Sequence, residues 1–326
     1  MSRAKWIGVP LGFFILVILP YLVSPYWVSL FTQMFIFGIA AMSLNILVGY
    51  GGMPSFGHVG FFGAGAYAVA IFSTRFKWGL LSCSLAGFGL ATVVGIIFGL
   101  VAAHAQGSYF LMITLALGMV LWGFAIRWSS VTKGDNGISG ILRPELFGVS
   151  MNDPTVFYYG TMVVFAVCVF LMYVFVRSPF GYSLKGIRES ESRMRILGYH
   201  TWVHRYVTFV VTAAIAGISG IVWAYYNGFV SPNDLEIGTS FELMLMVILG
   251  GPGTLLGPAL GAGVVVFLKN FLSAYIQRWL LVLGTIYVLT ILYAPTGFLN
   301  QFIELARKRH KKQQGVREVD QKEGGR

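Results

Sequence analysis

The stretch "GYGGMPSFGHVGFFGAGAYAVA", Gly49 to Ala70, carries glycine at positions 49, 51, 52, 57, 60, 63 and 65, with Pro54 and His58 among them. Glycine and proline are poor choices for the interior of an ordinary helix. Yet the stretch lies among near-continuous apolar runs, so its residues answer to something besides helix stability. Two readings are open: glycines that let helices approach closely, and irregular backbone that lines a cavity or bends as a hinge. Gly60, Gly63 and Gly65 fit the first, and Gly60, Ala64 and Ala68 make a small stripe at four-residue spacing on one helix face. Gly51, Gly52, Pro54, Ser55 and Gly57 fit the second, within a broken connection over residues 49–58.

The surroundings settle the class. The 326 residues are 56% hydrophobic and 11% charged, against roughly 25% charged in soluble domains. About 20 consecutive apolar residues span a bilayer. Ten such runs stand at approximately 6–24, 26–50, 56–74, 78–103, 107–128, 155–176, 206–226, 240–252, 254–274 and 278–294. The chain therefore reads as an all-α polytopic membrane protein of about ten transmembrane helices, with a membrane domain over 1–294. The eighth run is short and suits a broken or re-entrant helix. Cys83 and Cys168 sit inside runs and read as small buried hydrophobes. The opening "MSRAKWIGVPLGFFILVILPYLVSPYW" has the outline of a signal peptide but no small-x-small cleavage pattern, so it is taken as a retained first helix.

Charge orients the chain. With the N-terminus in the cytoplasm and ten alternating spans, the cytoplasmic side receives Arg3, Lys5, six basic residues from Arg177 to Arg205 and eight from Arg307 onward. That is sixteen of the 23 lysines and arginines. The outer loops receive Asp135, Glu145, Asp153, Asp234 and Glu236. The bias obeys the positive-inside rule, with both termini cytoplasmic. The tail over 295–326 is polar, basic and without apolar periodicity, so disorder is expected. It serves as a topology anchor or as a site for anionic lipid, and nucleic acid is not expected as a partner.

Two connections are long. An outer loop, 129–154, contains "VTKGDNGISGILRPELFG", rich in turn chemistry. A cytoplasmic loop, 177–205, reads "RSPFGYSLKGIRESESRMRILGYHTWVHR". Taken as one helix from Ser183 to Gly198, it places Leu184, Ile187, Met194 and Leu197 within one arc and Lys185, Arg188, Glu189, Arg193 and Arg195 on the other side. Glu191 lies at the rim, the pairs Glu189–Arg193 and Glu191–Arg195 have the favourable order, and Gly198 suits the C-terminal cap. Such a helix either rests on the membrane interface or docks apolar side first into a partner's groove. A weak echo also runs through the chain: Gly51, Gly57 and Gly63 match Gly251, Gly257 and Gly263 in spacing. Coincidence and a duplicated half both explain it.

The loop resembles the segment by which permease subunits of ATP-binding-cassette importers engage their ATPases. In the branched-chain amino-acid permease family it commonly reads R-S-x-x-G-R-x-L-x-A-I-R-E-N-E-x-x-A-x-x-L-G. This chain keeps Arg177, Ser178, Gly181, Leu184, Ile187, Arg188, Glu189, Glu191, Leu197 and Gly198, and departs with Tyr182, Ser190 and Met194. "SLNILVGYGGMPSFGHVGFFGAGAYA", "GSYFLMITLA", "KGDNGISGI" and "GFVSPNDLEIGTSFELMLMVILGGPGTLLGPALGA" are similar to further landmarks of the family, closer to its LivM-type than its LivH-type subunit. The resemblance implies a subunit in a prokaryotic cell membrane. It also implies a second, LivH-type permease subunit, two ATP-binding subunits and an extracytoplasmic substrate-binding protein. Transport would be by alternating access, with ATP and Mg held on the partner chains. Related permeases carry urea or amides, which is the second substrate reading.

Other classes fare worse on the residues. An ion-coupled transporter normally needs membrane-embedded carboxylates, and only Glu242 lies within an apolar run. An intramembrane enzyme needs paired carboxylates or a metal-ligand cluster near the membrane. The five histidines are dispersed, so no catalytic, metal or cofactor set is expected. "GYSLKGIR" has Ile187 where a phosphate-binding lysine must stand. Asn45, His58 and Glu242 remain as structural hydrogen-bonding residues or as lining of a translocation path.

Overall fold

The computed structural model describes residues 16–143, 145–146, 149–275 and 278–293. The basic tail over 295–326 and the terminal charges Arg3 and Lys5 lie outside the described residues. Among the described residues each apolar run is helical, because a helix satisfies its own backbone in hydrocarbon. The main helices are α1 (16–22), α2 (Pro25–Asn45, extended by a π turn, Ile46–Tyr50), α3 (His58–Arg75), α4 (Leu80–Ala102) and α5 (Gly107–Arg127). After the short α6 (Ser129–Thr132) come α7 (Pro154–Arg177), α8 (Pro179–Glu189), α9 (Glu191–Ile196) and α10 (Thr201–Asn227). The last three are α11 (Ile237–Gly250), α12 (Gly257–Tyr275) and α13 (Trp279–Tyr293). Proline at the first helical position opens α2, α7 and α8, where its missing N–H costs nothing.

Six of these helices are long and apolar enough to cross a membrane: Pro25–Tyr50, α4, α5, α7, α10 and α12. In α3, His58, Arg75 and the glycines dilute the hydropathy. At 14 residues, α11 extends only about 21 Å, short of the roughly 30 Å hydrocarbon core. This agrees with the short eighth run of the sequence.

The connections gather at two ends. At one, residues 51–57, 103–106, 178–200 and 251–256 are tied together by Arg188 to Gly49, Arg205 to Ala105 and Asn45 to Gly253. At the other, β1 (Ile138–Ser139) pairs antiparallel with β4 (Phe229–Val230), and Arg75 donates to the Ser130 carbonyl. A small hairpin, β2 (Glu145–Leu146) with β3 (Val149–Ser150), belongs to the same loop. The loops 129–154 and 228–236 thus share one end, and the 177–205 loop lies at the opposite end of α7 and α10.

Helices α2, α3 and α10 form the centre. The apolar windows of α2 and α10 are 78% and 72% buried, against 17% for α5, which is peripheral. Small residues set the central spacing: Gly65 lies against the Gly217 carbonyl, Gly220 against the Phe62 carbonyl and Gly217 against Ala91. Gly60 meets Leu121 and Gly63 meets Leu235. The three contact glycines of the sequence reading therefore face three different neighbours.

Candidate coupling site

The first helix break begins at the π turn. Gly51 N–H reaches back to the Ile46 carbonyl (3.0 Å) and Met53 N–H to Leu47 (2.9 Å), with Gly52 at φ +66°. A π turn shifts the bonding register and is frequent at functional sites. It leaves the Gly49 carbonyl to accept from the Arg188 guanidinium of α8. Gly49 admits no side chain, because an added Cβ would strike the Gly253 backbone and the Asn45 amide oxygen.

Residues 53–57 then fold back among the helices, as irregular backbone buried by protein is free to do. Phe56 N–H points at Thr114 Oγ1 (3.4 Å), and Gly57 lies against the Thr114 carbonyl on α5. Gly57 thus makes a close helix contact. His58, 1% exposed, has Nε2 2.7 Å from Ser43 Oγ. The Ser43 hydroxyl also donates to the Ala40 carbonyl at 2.8 Å, so Nε2–H is the donor to Ser43. Ser55 Oγ and His58 Nδ1 are buried without a hydrogen-bond partner among the described residues.

The second break, 251–256, is clamped by Asn45. Its amide nitrogen donates to the Thr254 carbonyl (2.7 Å) and its oxygen accepts from Gly253 N–H (2.9 Å). One side chain thus occupies both groups of a backbone turn that no helix or strand satisfies.

The loop at the same end corrects the sequence reading. A single helix from Ser183 to Gly198 was expected. Instead α8 starts at Pro179 and ends at Glu189, and Ser190 is extended (φ −160°, ψ 100°) before α9. Ser190 Oγ accepts the Arg193 N–H (3.4 Å), so the serine acts as an N-cap, for which its type is better suited than for a helix interior. The break redistributes the apolar arc. Leu184 and Ile187 are buried in the chain's own core, Met194 covers Gly186, and Leu197 is 70% exposed beside Ile196 at 85%. Glu189 and Arg193, on opposite sides of the break, form no ion pair among the described residues, whereas Glu191 meets Arg195 at 2.6 Å. Gly198, at φ +86°, closes α9 by a Schellman motif, with Tyr199 N–H to Met194 and Gly198 N–H to Arg195, both 3.0 Å.

Two polar links therefore run from this loop into the first break. One is Arg188 to Gly49. The other runs from Glu191 through Arg205, 3.7 Å away, whose guanidinium donates to the Ala105 carbonyl and lies 3.5 Å from Met53 Sδ. Sequence reasoning counted Arg205 only as a topology charge. Its one visible signal was an arginine at the head of an apolar span.

Glu242 sits apart, on the half of α11 away from the two helix breaks. Lys269 of α12 donates to both its oxygens, at 3.1 and 2.9 Å. Nearby Asp234 has its pKa raised by burial, against bonds from Ser231 N–H and Trp223 and the charge of Lys269, which lower it. No group of three or more His, Cys, Asp or Glu suited to a metal occurs among the described residues.

Residues 26–293 match the family described as branched-chain amino acid transport system, permease component. Among curated relatives, the high-affinity branched-chain amino acid transport system permease protein LivM of Salmonella typhimurium is 28% identical over 304 residues, covering 86% of this chain and 71% of the relative. The probable branched-chain amino acid transport permease protein LivM of Methanocaldococcus jannaschii is 25% identical, covering 80% and 89%. The autoinducer 2 import system permease protein LsrC of Escherichia coli is 28% identical over 54% of each chain. No solved structure matches.

Proposed function

The chain belongs to the family of branched-chain amino acid transport system permease components, and on that premise we propose that it is a membrane-spanning subunit of an ATP-binding-cassette importer. Its cargo would be branched-chain or related amino acids. The chain supplies a path and a docking loop, while nucleotide and Mg are held by two partner ATPases. A second permease subunit and an extracytoplasmic binding protein complete the assembly in a prokaryotic cell membrane. Ten spans with cytoplasmic termini fit the alternation of the connections between two ends. Ten of the sixteen basic residues behind that orientation lie in the terminal segments, outside the described residues.

The observation that carries the mechanism is the Arg188 contact with the Gly49 carbonyl. Leu184 and Ile187 anchor α8 in the core, and the exposed Ile196, Leu197 and Tyr199 are the part of the loop left for an ATPase. Movement of the ATPases pulls on α9 and α8. Arg188 passes the pull to Gly49, and Asn45 passes it on to the second break. Both helix pairs, α2–α3 and α11–α12, then change their tilt together. A charge-assisted bond to a backbone carbonyl contributes about 1.5–3 kcal/mol, enough to transmit such a bias. In reconstituted complex, Arg188→Ala should keep the ATPases bound and hydrolysing while amino-acid uptake falls at least tenfold. Unchanged uptake per ATP would sink the coupling role.

A further inference from the structure

Helix α4 packs on α3 and α10, while α7 packs on α2. Between α4 and α7 lies a cleft of about 570 Å³, floored by α10. Leu81, Leu85 and Phe88 form one wall, Phe157, Gly160 and Val163 the other, and Ile218 to Tyr225 the floor. The lining carries no charged side chain; of its polar groups, the Thr161 hydroxyl donates to the Phe157 carbonyl at 2.9 Å, and the Tyr225 hydroxyl is buried without a hydrogen-bond partner among the described residues. An amino-acid cargo would find no carboxylate on that lining for its ammonium group.

The length of the cleft selects its occupant. The floor covers Ile218 to Tyr225, the last turns of α10, and the walls cover the first turns of α4 and α7. Eight helical residues rise about 12 Å, close to the roughly 15 Å of hydrocarbon in one leaflet. A partner's transmembrane helix needs twice that length.

The mouth carries the matching charge. Arg143 stacks on Phe157 of the wall, 4.9 Å from the ring centroid. It donates to the carbonyls of Tyr225 (3.3 Å), Tyr226 (3.0 Å) and Asn152 (3.4 Å). A guanidinium has five N–H groups, so two remain for an anion. Lys77 is exposed three residues before Leu80, and Asp153 near the rim is turned to cap α7 through Thr155 N–H.

We propose that this cleft is a phospholipid site, one acyl chain lying along α10 between α4 and α7 and the phosphate resting on Arg143 and Lys77. The lipid wedges α4 and α7 apart in the leaflet opposite the coupling site. It requires only that these helices span a membrane, and stands whether or not the transport reading does.

Gly160 offers a clean test, since a Cβ added there meets only the Met151 methyl, at 3.5 Å. Gly160→Leu fills the cleft, and leucine is the better helix former. Full-length permease is released from nanodiscs of phosphatidylglycerol and phosphatidylethanolamine, and retained phospholipid is counted by native mass spectrometry. Wild type should keep one phospholipid more than Gly160→Leu, and Lys77→Gln should lower retention severalfold. Val163→Trp, an exposed position on the same wall, should repeat the loss should Gly160→Leu be poorly recovered. Equal lipid counts in wild type and a filled variant overturn the proposal. So does quantitative cross-linking of Leu85→Cys to another permease chain, which would place protein in the cleft.

Discussion

The two helix breaks share a spacing and differ in what surrounds them. Gly51 and Gly251 each follow the last residue of a helix, and Gly57 and Gly257 each stand at the head of the next. Here the sequence echo has an architectural counterpart, two helix–break–helix units meeting at Gly49 and Gly253. The environments diverge. In the first break Met53 and Ser55 are buried, at 4% and 1% exposure, while residues 252–255 of the second are half-exposed. The third glycine of each set diverges further. Gly63 lies against Leu235, but a Cβ at Gly263 would meet only Met34 Sδ, at 3.8 Å. A repeated spacing thus reproduces a backbone turn without reproducing the reason each glycine is there. In the first unit glycine admits neighbouring helices; in the second it closes a tight hairpin, with Gly250, Gly257 and Gly261 at the α11–α12 contact.

That contrast breaks most openly at Gly57 and Gly263. Leucine at 57 would drive into the Thr114 backbone, which cannot yield as a side chain can. Overpacking of this kind costs about 3 kcal/mol, so Gly57→Leu permease should accumulate at well under a tenth of the normal level. Gly263→Leu should accumulate normally. Equal yields on a membrane immunoblot would erase the distinction between the two glycine sets.

The docking loop gives the next largest effect. Ile187 belongs to the chain's own interior, so Ile187→Asp buries an unpaired charge costing about 3–5 kcal/mol and should unfold the permease. Leu197→Asp, on the exposed side, should leave the permease folded and release the ATPases. Co-purification normalised to permease recovered separates the two. ATPases retained by Leu197→Asp would remove α9 from the interface.

At Asn45 the two breaks are joined, and Asn45→Leu removes both bonds while leaving the turn's amide and carbonyl unpaired. A loss of about 2–4 kcal/mol should appear as a lowered midpoint in thermal unfolding of the detergent-solubilised chain. An unchanged midpoint would mean that the breaks hold their shapes separately. Arg195→Ala should do least. Its side chain is 60% exposed, and such an i,i+4 pair contributes about 0.3–0.5 kcal/mol, too little to change uptake measurably. A large defect there would point to a partner contact instead.

The candidate site was legible in the sequence only in part. Residues 49–58 and the charged loop stood out because glycine, proline and an amphipathic period are local signals. The cap at Gly198 was legible for the same reason. The interruption at Ser190 was missed because an amphipathic period continues across a short kink, and only the cap geometry exposes it. Arg205 and Lys269 were missed because a lone cation on an apolar helix shows no partner until another helix brings one.

The sequence by itself determined the helices. A long apolar run in hydrocarbon has one way to satisfy its N–H and C=O groups, and those bonds join residues four apart. It also determined where the helices break, since glycine and proline act on their own backbone. Only the tertiary structure decided which of those breaks touch. Arg188 reaches a carbonyl 139 residues away and Asn45 one 209 residues away. Bonds of that span depend on how the hydrophobic segments pack in three dimensions, and no spacing within a segment encodes the packing.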